Sequence, residues 1–129
     1  MAEKKEPAVL KMRRLKADVL QFSVHEEMLQ LVQRVAGNKS KRTAKTLVKE
    51  GPLRVLVVAL DAGGKLEEHA VDGPFSVQCL MGRVTAHVAG ADKDLMTGDL
   101  LVVDAGVTHD IEAKESAALL ITIAKAGAD

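Results

Sequence analysis

The sequence predicts an all-β sandwich or barrel that carries one amphipathic helix near its amino terminus. Short apolar or alternating segments follow one another from about residue 52 onward, separated by glycine-rich turns. A spacing of about 8–12 residues between such segments is typical of sandwiches and barrels. Ahead of them, one segment has its apolar residues at helical spacing. The chain has 129 residues, which is the size of one domain with one core.

The helix is predicted over residues 24–36. Ser23 is a favourable N-cap residue, and Glu26 three positions later completes a capping box. Gly37 and Asn38 supply the stop signal at the carboxyl end. One face of this helix is apolar, with Val24, Met28, Leu31, Val32 and Val35. We therefore expect it to lie on an apolar surface.

The segments around the helix are predicted from their polarity and their period. Residues 1–15 are polar and mixed in charge and predict a loosely attached arm, whereas residues 15–22 predict a short strand or extended arm. Residues 89–92 predict a hairpin turn. The alternation around it places His87 on the face opposite Val84, so we expect His87 at the surface. Strands are predicted at 55–60, 76–81, 83–88, 100–103, 109–113 and 117–124.

Composition and charge disfavour several kinds of partner. Phe22 and Phe75 are the only aromatic residues besides histidine, which argues against base stacking on single-stranded nucleic acid and against a sugar platform. Residues 1–50 hold 12 Lys and Arg against 6 Asp and Glu, and residues 51–129 hold 6 against 12. This asymmetry fits an anionic partner or, as we favour, a solvated basic arm beside an acidic barrel. We expect no nucleic-acid partner.

The same features predict a cytoplasmic protein without a membrane segment. No apolar run approaches the roughly 18 to 20 residues that a membrane helix needs, and the first seven residues do not look like a signal peptide. Cys79 is the single cysteine, so no disulfide can form within one chain. We expect it to act as a small buried hydrophobe rather than as a nucleophile.

Two histidines each lie in a glycine-spaced motif. The first motif runs from Gly63 through His69 to Gly82, and the second runs from Gly98 through Gly106 to His109. Together they resemble the two halves of the cupin signature, and in particular the reduced motif of short single-domain bacterial cupins. The resemblance implies a double-stranded β-helix, the jelly-roll barrel. On this basis residues 42–129 would form the barrel and residues 1–41 the arm and helix.

The resemblance also bears on metals. It implies that His69 and His109 approach each other on facing strands, but Val71 and Phe75 stand where the family has its other histidine and its glutamate. Glu67 or Asp72 would have to supply a third ligand, and metals need at least three. We therefore expect no tightly bound cofactor, with a weakly bound divalent metal on the two histidines as the alternative.

The predicted function is the binding or sensing of a small organic molecule, an acid or amide rather than a sugar. One alternative is a small enzyme, either an acid–base isomerase or epimerase or a metal-dependent oxygenase, with His69 and His109 as catalytic candidates. Another is a regulatory module that binds a protein. We also expect a homodimer, formed through the helix, the extended segment 42–50 and the oppositely charged halves. The predicted ligand pocket comprises His69, Val71, Phe75, Val77, Cys79, Val103 and His109.

Overall fold

The computed structural model describes residues 17–125, without the side chains of Glu68 and His69. Two antiparallel sheets face each other, and one helix lies on the outside, so the predicted all-β jelly-roll class with one helix is confirmed. The elements are α1 (Val24–Val35), β1 (Arg42–Glu50), β2 (Leu53–Leu60), β3 (Lys65–His69), β4 (Phe75–Met81), β5 (Arg83–Val88), β6 (Ala91–Met96), β7 (Leu100–Val103), β8 (His109–Ala113) and β9 (Ala117–Ala124).

The strand order brings distant parts of the chain together. The five-stranded sheet has the order β1-β2-β9-β4-β7, and the four-stranded sheet has the order β3-β8-β5-β6. Their inner faces form the main core, in which Leu60, Val77 and Leu119 of one sheet pack with Val84 and Ile111 of the other. The first glycine-spaced motif thus supplies β3 and β4, and the second supplies β7 and the start of β8. Each sheet therefore holds one strand from each motif.

Helix α1 begins and packs as its sequence predicts. The Ser23 hydroxyl accepts a hydrogen bond of 3.3 Å from the backbone N–H of Glu26. The apolar face of the helix is buried on the outer face of the five-stranded sheet, and no helix within residues 17–125 is long and apolar enough to span a membrane. The second core cluster comprises Met28, Leu31, Val35, Val57, Ala59 and Ala118. The chain itself therefore covers the apolar face of the helix, as the sequence predicts.

Two local predictions are corrected. The hairpin turn is only two residues long, Ala89 and Gly90, with φ angles of 52° and 77°. Two residues with positive φ are typical of a type I′ turn, whose twist matches that of the strands, so β6 already begins at Ala91. Residues 17–22 contain no strand. The basic arm of residues 1–16 and the last four residues lie outside the described range.

Candidate functional site

A cavity of about 170 Å³ lies between the two sheets. Ten of its eleven lining residues are aliphatic or aromatic, and His109 is the one with a polar side chain. The lining residues are Ala44, Leu56, Val58, Leu66, Val71, Phe75, Val77, His109, Ile111, Ile121 and Ile123. This wall offers an apolar body an apolar environment and one polar contact.

The register of the central strands explains which side chains reach the cavity. In antiparallel pairs, residues directly opposite each other point to the same face of the sheet. Leu56 of β2 lies opposite Ile121 of β9, which lies opposite Val77 of β4. Phe75 lies opposite Ile123 two residues further along. These rows make the five-stranded sheet the larger part of the apolar wall.

His109 is held in one orientation at the start of β8. Its side chain is buried, at 5% relative exposure. Its Nδ1 atom is 3.1 Å from the carbonyl oxygen of Val107. A carbonyl can only accept, so Nδ1 donates, and in the neutral ring Nε2 is then the acceptor. The Phe75 ring lies against the imidazole with 4.5 Å between ring centroids.

His69 meets His109 at the level of the backbone. The two residues are directly paired between β3 and β8, as the motif spacing implies. The side chain of His69 lies outside the described part of the structure, so the approach of the two imidazoles stays a prediction.

The six predicted pocket residues whose side chains are described, all but His69, fall into two groups. Val71, Phe75, Val77 and His109 line the cavity. Cys79 and Val103 are buried in the same core but do not line it. The motifs did not point to the lining residues of β1, β2 and β9, nor to Leu66 of β3 and Ile111 of β8. Strands β2 and β9 are buried on both faces, by the four-stranded sheet and by the helix. Their sequences are therefore continuous apolar runs, and such runs do not indicate which side chains face the cavity.

Cys79 has the surroundings of a packing residue. Its side chain is fully buried, and Sγ lies 3.4 Å and 3.5 Å from the carbonyl oxygens of Met81 and Gly82. Burial raises the pKa of the thiol, a backbone hydrogen bond with Met81 opposes that rise, and the charges of Asp99 and Glu115 add to it. A raised pKa leaves little thiolate, the nucleophilic form.

The described side chains around His109, which do not include those of Glu68 and His69, form no metal centre of the usual kind. Val71 and Phe75 line the wall with groups that cannot coordinate. Glu67 is exposed and borders a surface depression with Lys41 and Arg42, and the Asp72 carboxylate lies 3.5 Å from the ammonium of Lys125. Among the described side chains, no group of three or more His, Cys, Asp or Glu could hold a metal ion.

His87 lies on the outer face of the four-stranded sheet, as the alternation predicts. Its Nδ1 atom is 2.6 Å from Asp92, and Nε2 is 3.7 Å from Asp110. The hydrogen bond to Asp92 raises the pKa of this histidine, and the charges of Asp92, Asp110 and Glu112 add to the rise. His87 is therefore separate from the cavity and belongs to an acidic outer surface.

Comparison with solved structures identifies the fold. A conserved protein of unknown function from Streptococcus pyogenes aligns over 90% of this chain and 96% of its own length, with a TM-score of 0.69 and 20% sequence identity. A cupin superfamily protein from Desulfitobacterium hafniense aligns over 87% of this chain and 98% of its own, with a TM-score of 0.69 and 19% identity. The likeness confirms the fold that the resemblance implies: the chain has the cupin fold.

The same barrel also occurs as part of a larger enzyme. Salicylate 1,2-dioxygenase from Pseudoaminobacter salicylatoxidans aligns over 78% of this chain but only 30% of its own length, with a TM-score of 0.61 and 22% identity. No protein-family model matches the chain, and no curated protein matches it by sequence. At these identities the likeness establishes the fold and leaves the ligand to be argued from the cavity.

Proposed function

We propose that this protein binds a small organic molecule in the cavity between its sheets and does not require a metal to do so. The observation that carries the proposal is the cavity itself, an apolar space of about 170 Å³ with one buried imidazole in its wall. An apolar cavity of roughly 150 Å³ stays dry and is large enough for a benzene molecule. A body of about six carbon atoms is therefore the size that fits.

The test uses small probes and the methyl groups of the wall. Toluene and benzyl alcohol are titrated into methyl-labelled protein, with and without a chelator, and NMR shifts of Val77, Ile121 and Ile123 are followed. We expect saturable shifts at these methyls that the chelator does not change, because the wall supplies the binding free energy. Shifts that vanish with the chelator would show that a metal holds the ligand.

A matched pair of variants locates the binding. Val71 borders the cavity from a loop and is only partly buried, so Val71→Phe fills the space with little strain on the core. Val19→Phe adds the same volume at a surface position, where Val19 is 80% exposed. We expect the first variant to lose probe binding and the second to keep it. Retained binding in Val71→Phe would place the ligand elsewhere.

A second candidate, acid–base catalysis by His109, is favoured by one observation. The hydrogen bond from Nδ1 to the carbonyl oxygen of Val107 orients the ring. An oriented imidazole in an apolar cavity can move a proton near neutral pH. Deuterium exchange at the carbon next to the carbonyl of a bound 2-oxo acid tests this. Exchange in the wild type that is lost in His109→Gln, while the acid still binds, supports catalysis. If the wild type binds the acid without exchange, the protein binds the acid but does not catalyse this reaction.

We also propose that two copies associate through the outer face of β7. This strand is at the edge of its sheet, and its outward side chains Leu100 and Val102 are 59% and 68% exposed. An exposed apolar edge favours pairing with another chain, and a two-fold contact would cover it. Sedimentation at micromolar concentration should show a dimer that Val102→Asp dissociates and Val19→Asp, at another exposed valine, does not. A monomeric wild type would refute this.

A further inference from the structure

A wider groove of about 550 Å³ adjoins the cavity and shares Leu56, Val71 and Ile123 with its wall. Besides these shared apolar residues it is lined by three cations and one carboxylate, unlike the apolar space behind it. Its remaining lining residues are Thr46, Lys49, Arg54, Ala70, Asp72 and Lys125. An apolar chamber therefore lies next to a positively charged opening.

A β-bulge brings the first cation to this opening. The register of β1 against β2 shifts between Thr46 and Val48, so one extra residue, Leu47, is inserted. Leu47 packs with the helix cluster and Val48 is buried, and the alternation resumes with Lys49 on the groove side. Without the extra residue, Val48 would follow Thr46 on the groove side. Bulges often re-aim a side chain in this way beside functional sites.

The second cation lies directly across from the first. Lys49 pairs with Arg54 between β1 and β2, and Arg54 pairs with Ile123 of the cavity wall. Two like charges opposite each other on one face of a sheet are destabilising. Within residues 17–125 neither has an ion-pair partner. The repulsion between Lys49 and Arg54 therefore lowers the stability of the protein without ligand, and a bound anion would offset this loss.

The remaining contacts hold the second cation and the opposite rim in place. The Arg54 guanidinium donates through Nη1 to the carbonyl oxygens of Gly51 at 2.7 Å and Leu53 at 3.2 Å. Lys125 forms its ion pair with Asp72 on the far side of the groove. The single carboxylate is thus engaged by one cation, and the Lys49–Arg54 pair remains as the positive part of the opening.

We propose that Lys49 and Arg54 form a carboxylate-binding site at the mouth of the cavity, so that the ligand is a small organic acid. Its apolar body fills the chamber beside His109, and its carboxylate lies between the two cations. The inference rests on the proposed function, since it assigns the polar end of the molecule whose apolar end the cavity holds. It selects an acid over the amide and over neutral compounds of the same shape.

The test compares benzoate with benzyl alcohol, which has a similar body but no charge. Affinities are measured by calorimetry and by the cavity methyl shifts, at low and at high salt. We expect benzoate to bind about tenfold more tightly than benzyl alcohol at low salt, because charge-assisted hydrogen bonds are the strong ones. The preference should shrink at high salt, which screens exposed charges. Benzyl alcohol affinity should change little with salt.

Variants assign the preference to the two residues. Lys49→Gln and Arg54→Gln should each weaken benzoate binding about three- to tenfold and leave benzyl alcohol unchanged. Arg54→Lys keeps a charge at that position and should retain much of the preference. Lys93→Gln, at an exposed lysine of β6 away from the groove, is the matched control and should change neither affinity.

The possible outcomes distinguish a failure of the carboxylate site from a failure of the proposed function. If neither probe shifts the cavity methyls, the proposed function fails. If benzyl alcohol binds as tightly as benzoate, or if the two glutamine variants keep the preference, the cavity binds a ligand but the carboxylate site is refuted. Inorganic phosphate binding as tightly as benzoate, with no cavity methyl shift, would also refute it, because an acid with an apolar body would then not be required.

Discussion

Gly82, the glycine that closes the first motif, is the position where adding one methyl group should damage the fold most. Its φ angle is +80°, and a Cβ atom built on it would lie 2.1 Å from the carbonyl oxygen of Ser116 and 2.8 Å from the Cα of Ala117. Both neighbours are backbone at the start of the central strand β9, so neither can move aside by changing a rotamer. We predict that Gly82→Ala is strongly destabilising.

The expected loss in the free energy of unfolding of Gly82→Ala follows from comparison with a second glycine. Gly90 has almost the same φ, +77°, but a Cβ there would meet nothing within 4 Å. Alanine at either position should cost about 1 to 2 kcal/mol for the left-handed backbone. Only Gly82→Ala adds a steric clash, and forcing atoms into packed space costs typically about 1 to 3 kcal/mol more. The expected totals are about 2 to 5 kcal/mol for Gly82→Ala and about 1 to 2 kcal/mol for Gly90→Ala.

Urea denaturation followed by circular dichroism measures both variants, with the slope of the transition checked for equality. The difference between the two variants isolates the clash, because the cost of positive φ is common to both. Equal losses at Gly82 and Gly90 would refute the reasoning, since the close approach to Ser116 would then cost nothing. If Gly82→Ala does not fold in buffer, both alanine variants are measured in the same stabilising osmolyte.

Three further predictions concern the helix, the outer surface and the thiol. Leu31→Ala, at the buried helix face, should lower the free energy of unfolding by about 3 kcal/mol, whereas Leu29→Ala on the exposed face should change it by less than about 0.5 kcal/mol in the same denaturation assay. An NMR titration should show that the pKa of His87 is raised and that Asp92→Asn lowers it. Because the folded-state pKa is raised, the His87–Asp92 pair should stabilise the protein fully below the ordinary histidine pKa. That contribution should be lost as the pH rises through the raised pKa. Cys79 should react with a thiol reagent only as fast as the protein unfolds, and fast labelling of the folded protein would contradict its burial.

The sequence predicted what depends on regular alternation and on motif spacing. Residues 75–79 alternate as expected, so that Phe75, Val77 and Cys79 are buried and Gln78 is only partly so. The resemblance of the two glycine motifs implied that His69 and His109 approach each other on facing strands; their backbones are paired, and the approach of the imidazoles stays a prediction. The alternation in β4 could be predicted because a strand has a side-chain period of two, so one reference residue sets the direction of the rest.

The site features that alternation could not predict lie next to the two register shifts, in β3 and in β1. Between Leu66 and His69 the register of β3 shifts, and Glu67, which shares parity with His69 in the sequence, borders the surface depression instead. Between Thr46 and Val48 a second shift brings Lys49 to the groove. A bulge needs only one extra residue and carries no strong sequence signal, because its geometry is set by what packs on both faces of the strand. In β1 Leu47 packs with the helix cluster and Val48 after it is buried as well, and this places Lys49 on the opposite side. The same packing that docks the helix therefore positions the charge at the mouth of the cavity, so a substitution that removed the bulge should alter helix docking and anion binding together.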